Sequence, residues 1–312
     1  MFNLKSAKIL LTGGHGFLGE RVYQELLKTG AEPQKIFRPR SRLLDLRLQK
    51  NCAKAVKGIN LVIHLAATVG GIGYNREHPG KLFYDNAIMG INLIEEARLA
   101  KVKKFVQAGT VCAYPKLPPR IPFLEEDLWD GYPEATNAPY GLAKKMALVQ
   151  LQAYRQEYGF NGIYLLPTNL YGPGDNFNLT SSHVIPALIR KCFEAIEEKR
   201  KELVVWGSGK ANREFLYIDD AARAIVLATQ KYDKPEPVNI GSSNEIKIKD
   251  LVQLISELTG FKGRIVWDKT KPDGQPRRKL DVSRAKKEFG FVSKVDFKSG
   301  LAKTVEWYRK NH

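Results

Sequence analysis

The stretch Lys8-Ile-Leu-Leu-Thr-Gly-Gly-His-Gly-Phe-Leu-Gly19 decides the fold, because an apolar run gives way there to spaced glycines and then to an amphipathic segment. Lys8 to Thr12 reads as a strand and Phe17 to Lys28 as a helix, so the glycines occupy a strand-to-helix turn. Gly13, Gly16 and Gly19 let that turn close tightly and let a pyrophosphate approach the helix N-terminus, where free N–H groups favour anions. Glycines alone also make ordinary turns. Their place in a strand–turn–helix unit favours a dinucleotide site lined by Gly13, His15, Gly16, Phe17, Leu18 and Gly19.

Working outward, Lys35 to Phe37, Leu61 to Leu65, Phe105 to Gln107 and Ile163 to Leu166 read as further strands. Between them, Asn86 to Ala100 carries Ile88, Ile91, Leu93, Ile94 and Ala97 as the apolar stripe of a helix. The alternation predicts an α/β fold, a Rossmann-type doubly wound parallel sheet covered on both faces. After Tyr171 the character changes: Gly172 to Asn176 reads as a loop and Ile185 to Lys199 as a helix. The helix Asp219 to Lys231 and the strand Val238 to Ile240 read as returns to the sheet. We therefore expect a nucleotide-binding domain over 1–170 with return segments near 215–242. A smaller α/β substrate lobe is expected over 171–312, its main part beginning near Lys247. No repeat or flexible linker interrupts the pattern.

Composition narrows the class. The 312 residues are 43% hydrophobic and 27% charged, as in soluble globular proteins. No run reaches the ~18 apolar residues of a membrane span. The N-terminus runs straight into a strand without a small-residue cleavage site, so no signal peptide is read. Cys52, Cys112 and Cys192 are odd in number and far apart, which speaks against a disulfide framework or a zinc knuckle. No metal site is expected, and a reducing cytoplasm is. The net charge of +17 could suggest nucleic acid, but the Lys and Arg residues are spread along the chain with no recognisable binding module. A basic surface around a site for two anionic nucleotides accounts for it better.

An NAD site would want Asp or Glu at the end of the second strand. The segment reads Phe37-Arg-Pro-Arg-Ser-Arg42, with no acid before Asp45. Arg38, Arg40 and Arg42 suit the 2′-phosphate of NADP, which a carboxylate would repel, so NADP(H) is expected; a solvated basic turn is the plainer alternative.

Further along, Thr110 and Cys112 follow the strand at Phe105, while Tyr140 and Lys144 stand four apart on a probable helix and so share a face. A Tyr beside a Lys suits hydride chemistry at a carbonyl, since the cation favours the phenolate and lowers a pKa that is ordinarily about 10. Asn137 is placed to cap the helix and Pro139 suits its first turn. Thr110 offers a hydroxyl to the reacting oxygen. Cys112 and His183 add groups that exchange protons near neutrality when tuned. Cys112 could equally be a small buried hydrophobe, and His183 a helix cap. His64, His78 and His312 are read as structural or loop residues.

The blocks TGGHGFLG, HLAATVGGIGYNREHPG, GTVCAYPK, EATNAPYGLAK, PTNLYGPGDNF, SSHVIPAL, VVWGSG, REFLYIDD and KPDGQPRRKLD carry a family resemblance over nearly the whole chain. The chain resembles the extended short-chain dehydrogenase/reductase family, in particular its GDP-sugar epimerase–reductases. The resemblance implies a bifunctional enzyme that epimerises C3 and C5 of GDP-4-keto-6-deoxy-D-mannose and reduces C4 with NADPH, giving GDP-L-fucose. Another nucleotide sugar, such as a GDP-heptose, is the alternative, and a non-catalytic nucleotide-binding protein a distant one. The resemblance makes Thr110, Tyr140 and Lys144 the reductase set and Cys112 and His183 the opposite-face proton pair. It adds Leu65, Ala66, Ala67, Pro167, Asn169 and Leu170 to the cofactor side, together with Arg38, Arg40 and Asp45. For the GDP-sugar it implies Asn169, His183, Lys191, Trp206, Arg213 and Arg278, with Trp206 packing on guanine. A homodimer pairing through helices of the sheet domain is also implied. The chain departs from the usual pattern at His15, where Arg is usual, and at Thr110, where Ser is usual. Lys191 and Arg278 exchange type with the usual Arg and Lys.

Overall fold

The computed structural model describes residues 1–271 and 273–312. The first half runs β1 (Ile9–Thr12), α1 (Phe17–Lys28), β2 (Ile36–Phe37), α2 (Gln49–Val56), β3 (Leu61–His64), α3 (Ile72–Glu77), α4 (Pro79–Leu99), β4 (Lys104–Ala108), α5 (Ala138–Tyr158) and β5 (Gly162–Pro167). The second half runs β6 (Asn169–Tyr171), α6 (Val184–Glu197), β7 (Glu202–Trp206), β8 (Asn212–Tyr217), α7 (Ile218–Lys231), β9 (Val238–Ile240), β10 (Glu245–Lys247), α8 (Ile248–Thr259), β11 (Arg264–Asp268), β12 (Arg277–Arg278), α9 (Ser283–Phe289) and α10 (Phe297–Asn311).

Six strands form one sheet in the order β2-β1-β3-β4-β5-β9, every neighbouring pair parallel. Side chains alternate between its two faces. Ile9 and Leu11 share a core with Val22, Leu26, Ala221 and Ile225 of α1 and α7. Leu10, Val62 and Phe105 join Ala55, Leu93, Ile94 and Leu148 of α2, α4 and α5. Because helices cover both faces, the strands read as unbroken apolar runs. The chain order reverses between β1 and β3, and the crevice at the strands' carboxyl ends opens there. A second group of elements surrounds β8, which pairs with β6, β10 and β12, while β7 pairs with β11. Its core includes Ile185, Ile189, Val205, Leu251 and Leu301.

β9 adds an edge to the sheet beside β5, and Ile218–Lys231 packs on α1. α9 returns as well, since Ala285 and Phe289 sit in the first core. The helix expected from Asn86 starts seven residues earlier, at Pro79, a residue suited to a first turn. Its apolar stripe was masked by Asp85 and Asn86, polar residues that are buried because they hold the Thr68 side chain and backbone. Among the described residues no helix is long and apolar enough to cross a membrane.

The glycine turn has unequal tolerances. A Cβ on Gly19 would collide with the Gly13 carbonyl, whereas one on Gly16 would sit 3.2 Å from it. Gly19→Ala is therefore expected to cost about 1–3 kcal/mol, as overpacking does, and Gly16→Ala under about 1 kcal/mol. Chemical denaturation of the two variants checks this; equal costs would contradict the packing argument.

Candidate active site

Every candidate catalytic, cofactor and substrate residue named above except Arg38 lines one cleft of about 1670 Å³. Pockets for one drug-sized ligand run to roughly 1,000 Å³, so this cleft has room for two nucleotide-sized molecules. At one end lie Gly13, His15, Gly16, Phe17, Leu18 and Gly19, with Leu65, Ala66 and Ala67 at the end of β3. Gly13 has φ +67, the left-handed region, and a Cβ there would stand 2.8 Å from the Ala66 amide nitrogen. The turn therefore packs backbone against backbone at the end of β3, and the glycines leave the start of α1 open to a dinucleotide pyrophosphate. Arg40, Arg42 and Asp45 line the same end, and Pro167, Asn169 and Leu170 lie toward the middle. Arg38 is committed elsewhere. Its guanidinium lies 3.4 Å from the centre of the Tyr23 ring, pairs with Glu20 at 2.8 Å and donates to the Gly14 carbonyl at 3.2 Å. Asp45 faces Arg47, whose hydrogen bonds hold its carboxyl below the usual range. Arg47 also reaches buried Asp85, which Lys81 holds at 2.6 Å. Arg47 and Lys81 thus add positive charge to this end; only their nearness to quoted residues could have flagged them.

At the centre, Thr110 follows two residues after the end of β4 and caps the short turn Val111–Ala113. The Thr110 hydroxyl accepts a hydrogen bond from the Cys112 amide at 3.1 Å. α5 approaches this turn so closely that a Cβ on Gly141 would collide with the Cys112 carbonyl. That approach brings Tyr140 beside Thr110 and Cys112. The opening of α5 differs from expectation. Asn137 holds the N-cap position but its side chain makes no cap bond. It donates instead to Glu134 at 2.8 Å and accepts from Asn75 at 3.2 Å, because those partners reach it first across the loop.

The electrostatics also correct an expectation. Burial pushes the Tyr140 phenol up, not down, and the neighbouring Cys112 adds to that, while the nearby Thr110 hydroxyl opposes it. Lys144 is itself buried, and burial brings its ammonium down to about 8. Tyr140 in the protein is therefore a protonated phenol, the form that can donate a proton.

His183 occupies the N-cap position of α6 without capping it, its ring open to the cleft. The cleft walls around it partly desolvate the ring and lower its pKa, and Arg278 lowers it further. The loop before it is seated by Gly71: the Gly71 amide donates to the Ser181 carbonyl at 2.9 Å, and a Cβ on Gly71 would collide with the Ser182 carbonyl. Arg278 is buried, and its Nη1 donates to Cys112 Sγ at 3.7 Å. Cys112 is thus partly open and faces a cation, unlike Cys52, which burial pushes up to about 12. Burial also brings Arg213 down to about 10; its guanidinium donates to the Asp273 carbonyl at 3.0 Å. Trp206 is no core aromatic: it is 48% exposed on the open side of β7, with Lys191 Nζ at 5.9 Å from its ring centre. Asn169 donates to the Glu214 carbonyl at 2.9 Å. Sequence reading gave no role to Gln275 or Asp175, both of which line the cleft. Burial pushes the Asp175 carboxyl up to about 7. Their signal is three-dimensional.

Comparison with known proteins agrees with this geometry. The profile of the NAD dependent epimerase/dehydratase family matches residues 9–241. The chain is 40% identical to GDP-L-fucose synthase 1 of Arabidopsis thaliana, over 98% of this chain and 94% of that one. A crystal structure of a GDP-6-OMe-4-keto-L-xylo-heptose reductase from C. jejuni superposes with TM-score 0.91 at 27% identity, covering 99% of each chain. A GDP-L-fucose synthetase from Naegleria fowleri bound to NADP gives TM-score 0.88 at 29% identity, covering 100% of this chain and 96% of that one.

The buried Lys144 carries a cost. Its folded value of about 8 lies below the ordinary 10.5, so the charged form destabilises the fold at neutral pH by about 3 kcal/mol. Lys144→Met should stabilise the protein by up to that amount at pH 7, with the gain fading as pH rises from about 8 towards 10.5. It should also abolish cofactor-dependent turnover. Denaturant melts at pH 7 and pH 10 check this, and a variant no more stable than wild type at pH 7 would contradict it.

Proposed function

The chain belongs to the NAD dependent epimerase/dehydratase family, and from that premise we infer a bifunctional GDP-sugar enzyme. It epimerises C3 and C5 of GDP-4-keto-6-deoxy-D-mannose and reduces C4 with NADPH to give GDP-L-fucose, the activity its curated relatives are named for. One observation carries the reading: Tyr140 with Thr110 and Cys112 with His183 line a single cleft, where Tyr140 and Thr110 adjoin Cys112 and Arg278 faces both Cys112 and His183.

The ketone at C4 acidifies the hydrogens on C3 and C5. Cys112 as thiolate takes a proton from one face, and the electron pair moves onto the C4 oxygen as an enediolate. Thr110 and Tyr140 stabilise that oxygen by hydrogen bonding. His183 as imidazolium returns a proton to the opposite face, inverting the carbon. Exchange with water then recharges both groups for the second centre. When bound, NADP(H) supplies the hydride for C4, and the glycine cradle with Arg40, Arg42 and Arg47 would hold it. Tyr140 donates its phenolic proton to the C4 oxygen as the alcohol forms, and Lys144 orients and charges that end of the site. Trp206 packs on the guanine, while Lys191, Arg213 and Asn169 face the diphosphate and sugar.

We also assign the lobes as a cofactor domain over 1–170 with returns near 215–242 and a substrate lobe over 171–312. A homodimer is supported by exposed Phe83, Tyr84 and Ile91 on α4 and Met146 and Val149 on α5. A cytoplasmic setting suits three unpaired thiols. The close superposition on a GDP-heptose reductase favours a 4-keto GDP-heptose as the second candidate substrate.

Two variants separate the half-reactions. With GDP-4-keto-6-deoxymannose, Tyr140→Phe should slow NADPH oxidation by about 100-fold or more while deuterium from solvent still enters the sugar. Cys112→Ser should lose that exchange while its affinity for NADPH is kept. Exchange at the wild-type rate in Cys112→Ser would remove Cys112 from the mechanism. Faster turnover of a 4-keto GDP-heptose would replace the substrate.

A further inference from the structure

We propose that Arg278, oriented by Gln275, is the group that holds Cys112 as the thiolate base of the epimerase half, so that Gln275 is a positioning residue for proton abstraction. The proposal deepens the reading above and rests on it for the reaction, though not for the thiol.

The geometry is a closed chain of contacts. Arg278 Nη1 donates to Cys112 Sγ at 3.7 Å, and Arg278 Nε donates to Gln275 Oε1 at 3.1 Å. Gln275 Nε2 donates to the carbonyls of Lys116 at 2.9 Å and Pro115 at 3.2 Å. One buried amide therefore fixes the guanidinium and also the chain just beyond the cysteine. Gln275 and Arg278 are 4% and 7% exposed, so water does not substitute for either contact. The segment carrying them is clasped at its start, where Asp273 accepts from the Ser208 amide at 2.6 Å and hydroxyl at 2.7 Å.

A buried guanidinium beside sulfur favours the anion, and a thiolate is the form that accepts a proton. The other charged and titratable groups around Cys112 are few. Tyr140 faces it from α5 as a neutral phenol. Arg213 faces it from β8, its own charge offset by Asp273 and Glu134. Arg278 also faces His183, where its charge makes the imidazolium a stronger acid. One cation thus favours proton acceptance at Cys112 and proton donation at His183. The balance is simple: the C–H proton goes to sulfur, its electron pair to the C4 oxygen, and the proton from His183 to carbon.

The test uses the full chain without substrate. Cys52 and Cys192 are buried, so iodoacetamide reports on Cys112, and thiolate ultraviolet absorbance reads the same group. At neutral pH, Arg278→Met should lower both the alkylation rate and the thiolate absorbance about tenfold. Gln275→Ala should give a smaller loss of the same sign, and Arg278→Lys should restore most of the signal. NADPH titration shows which variants are folded; if Arg278→Met is not, Gln275→Ala and Arg278→Lys carry the test. Unchanged alkylation and absorbance in folded Arg278→Met or Gln275→Ala would overturn the proposal. A lowered signal with no deuterium exchange by wild type on any GDP-4-keto sugar would uphold the thiolate assignment and sink the epimerase reading.

Discussion

The approach of α5 to the turn after β4 sets the rest of the site. With no side chain at Gly141, the helix lies against the Cys112 carbonyl, and Tyr140 and Lys144 arrive beside Thr110 and Cys112. A methyl group there would push the helix away and separate Tyr140 and Lys144 from Thr110 and Cys112. Gly71 does the corresponding job across the cleft, seating the Ser181–Ser182 carbonyls and with them His183. The convergence of these side chains on one cleft is therefore a consequence of two backbone contacts, each made possible by a missing Cβ.

Charge is arranged with the same economy and at measurable expense. Lys144 and Arg213 are cations that burial weakens, and Tyr140 is an acid that burial weakens. The wide cores on both sides of the sheet supply the stability that offsets these groups. The positive charge at the cofactor end is held differently. Arg47 is anchored through Asp45 and Asp85, which fixes it without removing it from the cleft.

Much of the fold was legible because its signals are local. The strand at Ile9, the glycine turn and the returning strand at Val238 depend on neighbours a few residues away or on runs buried on both faces. The start of α4 was not legible, since Asp85 and Asn86 break the stripe for the sake of contacts to Thr68. Arg38 shows the limit of counting charges: three arginines at alternate positions say nothing of direction, and this one turns to Tyr23 and Glu20. Tyr140 shows another, for burial outranks a nearby lysine. Gln275 was invisible because its partners lie about 160 positions earlier in the chain, at Pro115 and Lys116.

The central claim is that both proton-transfer sets act on the same sugar in one binding event. The most direct measurement is the isotopic content of the product formed by the wild-type enzyme from GDP-4-keto-6-deoxymannose and NADPH in D₂O. The account predicts deuterium at both C3 and C5 of a product in the L-fuco configuration. A C4-reduced product that keeps its protons at both centres would contradict it.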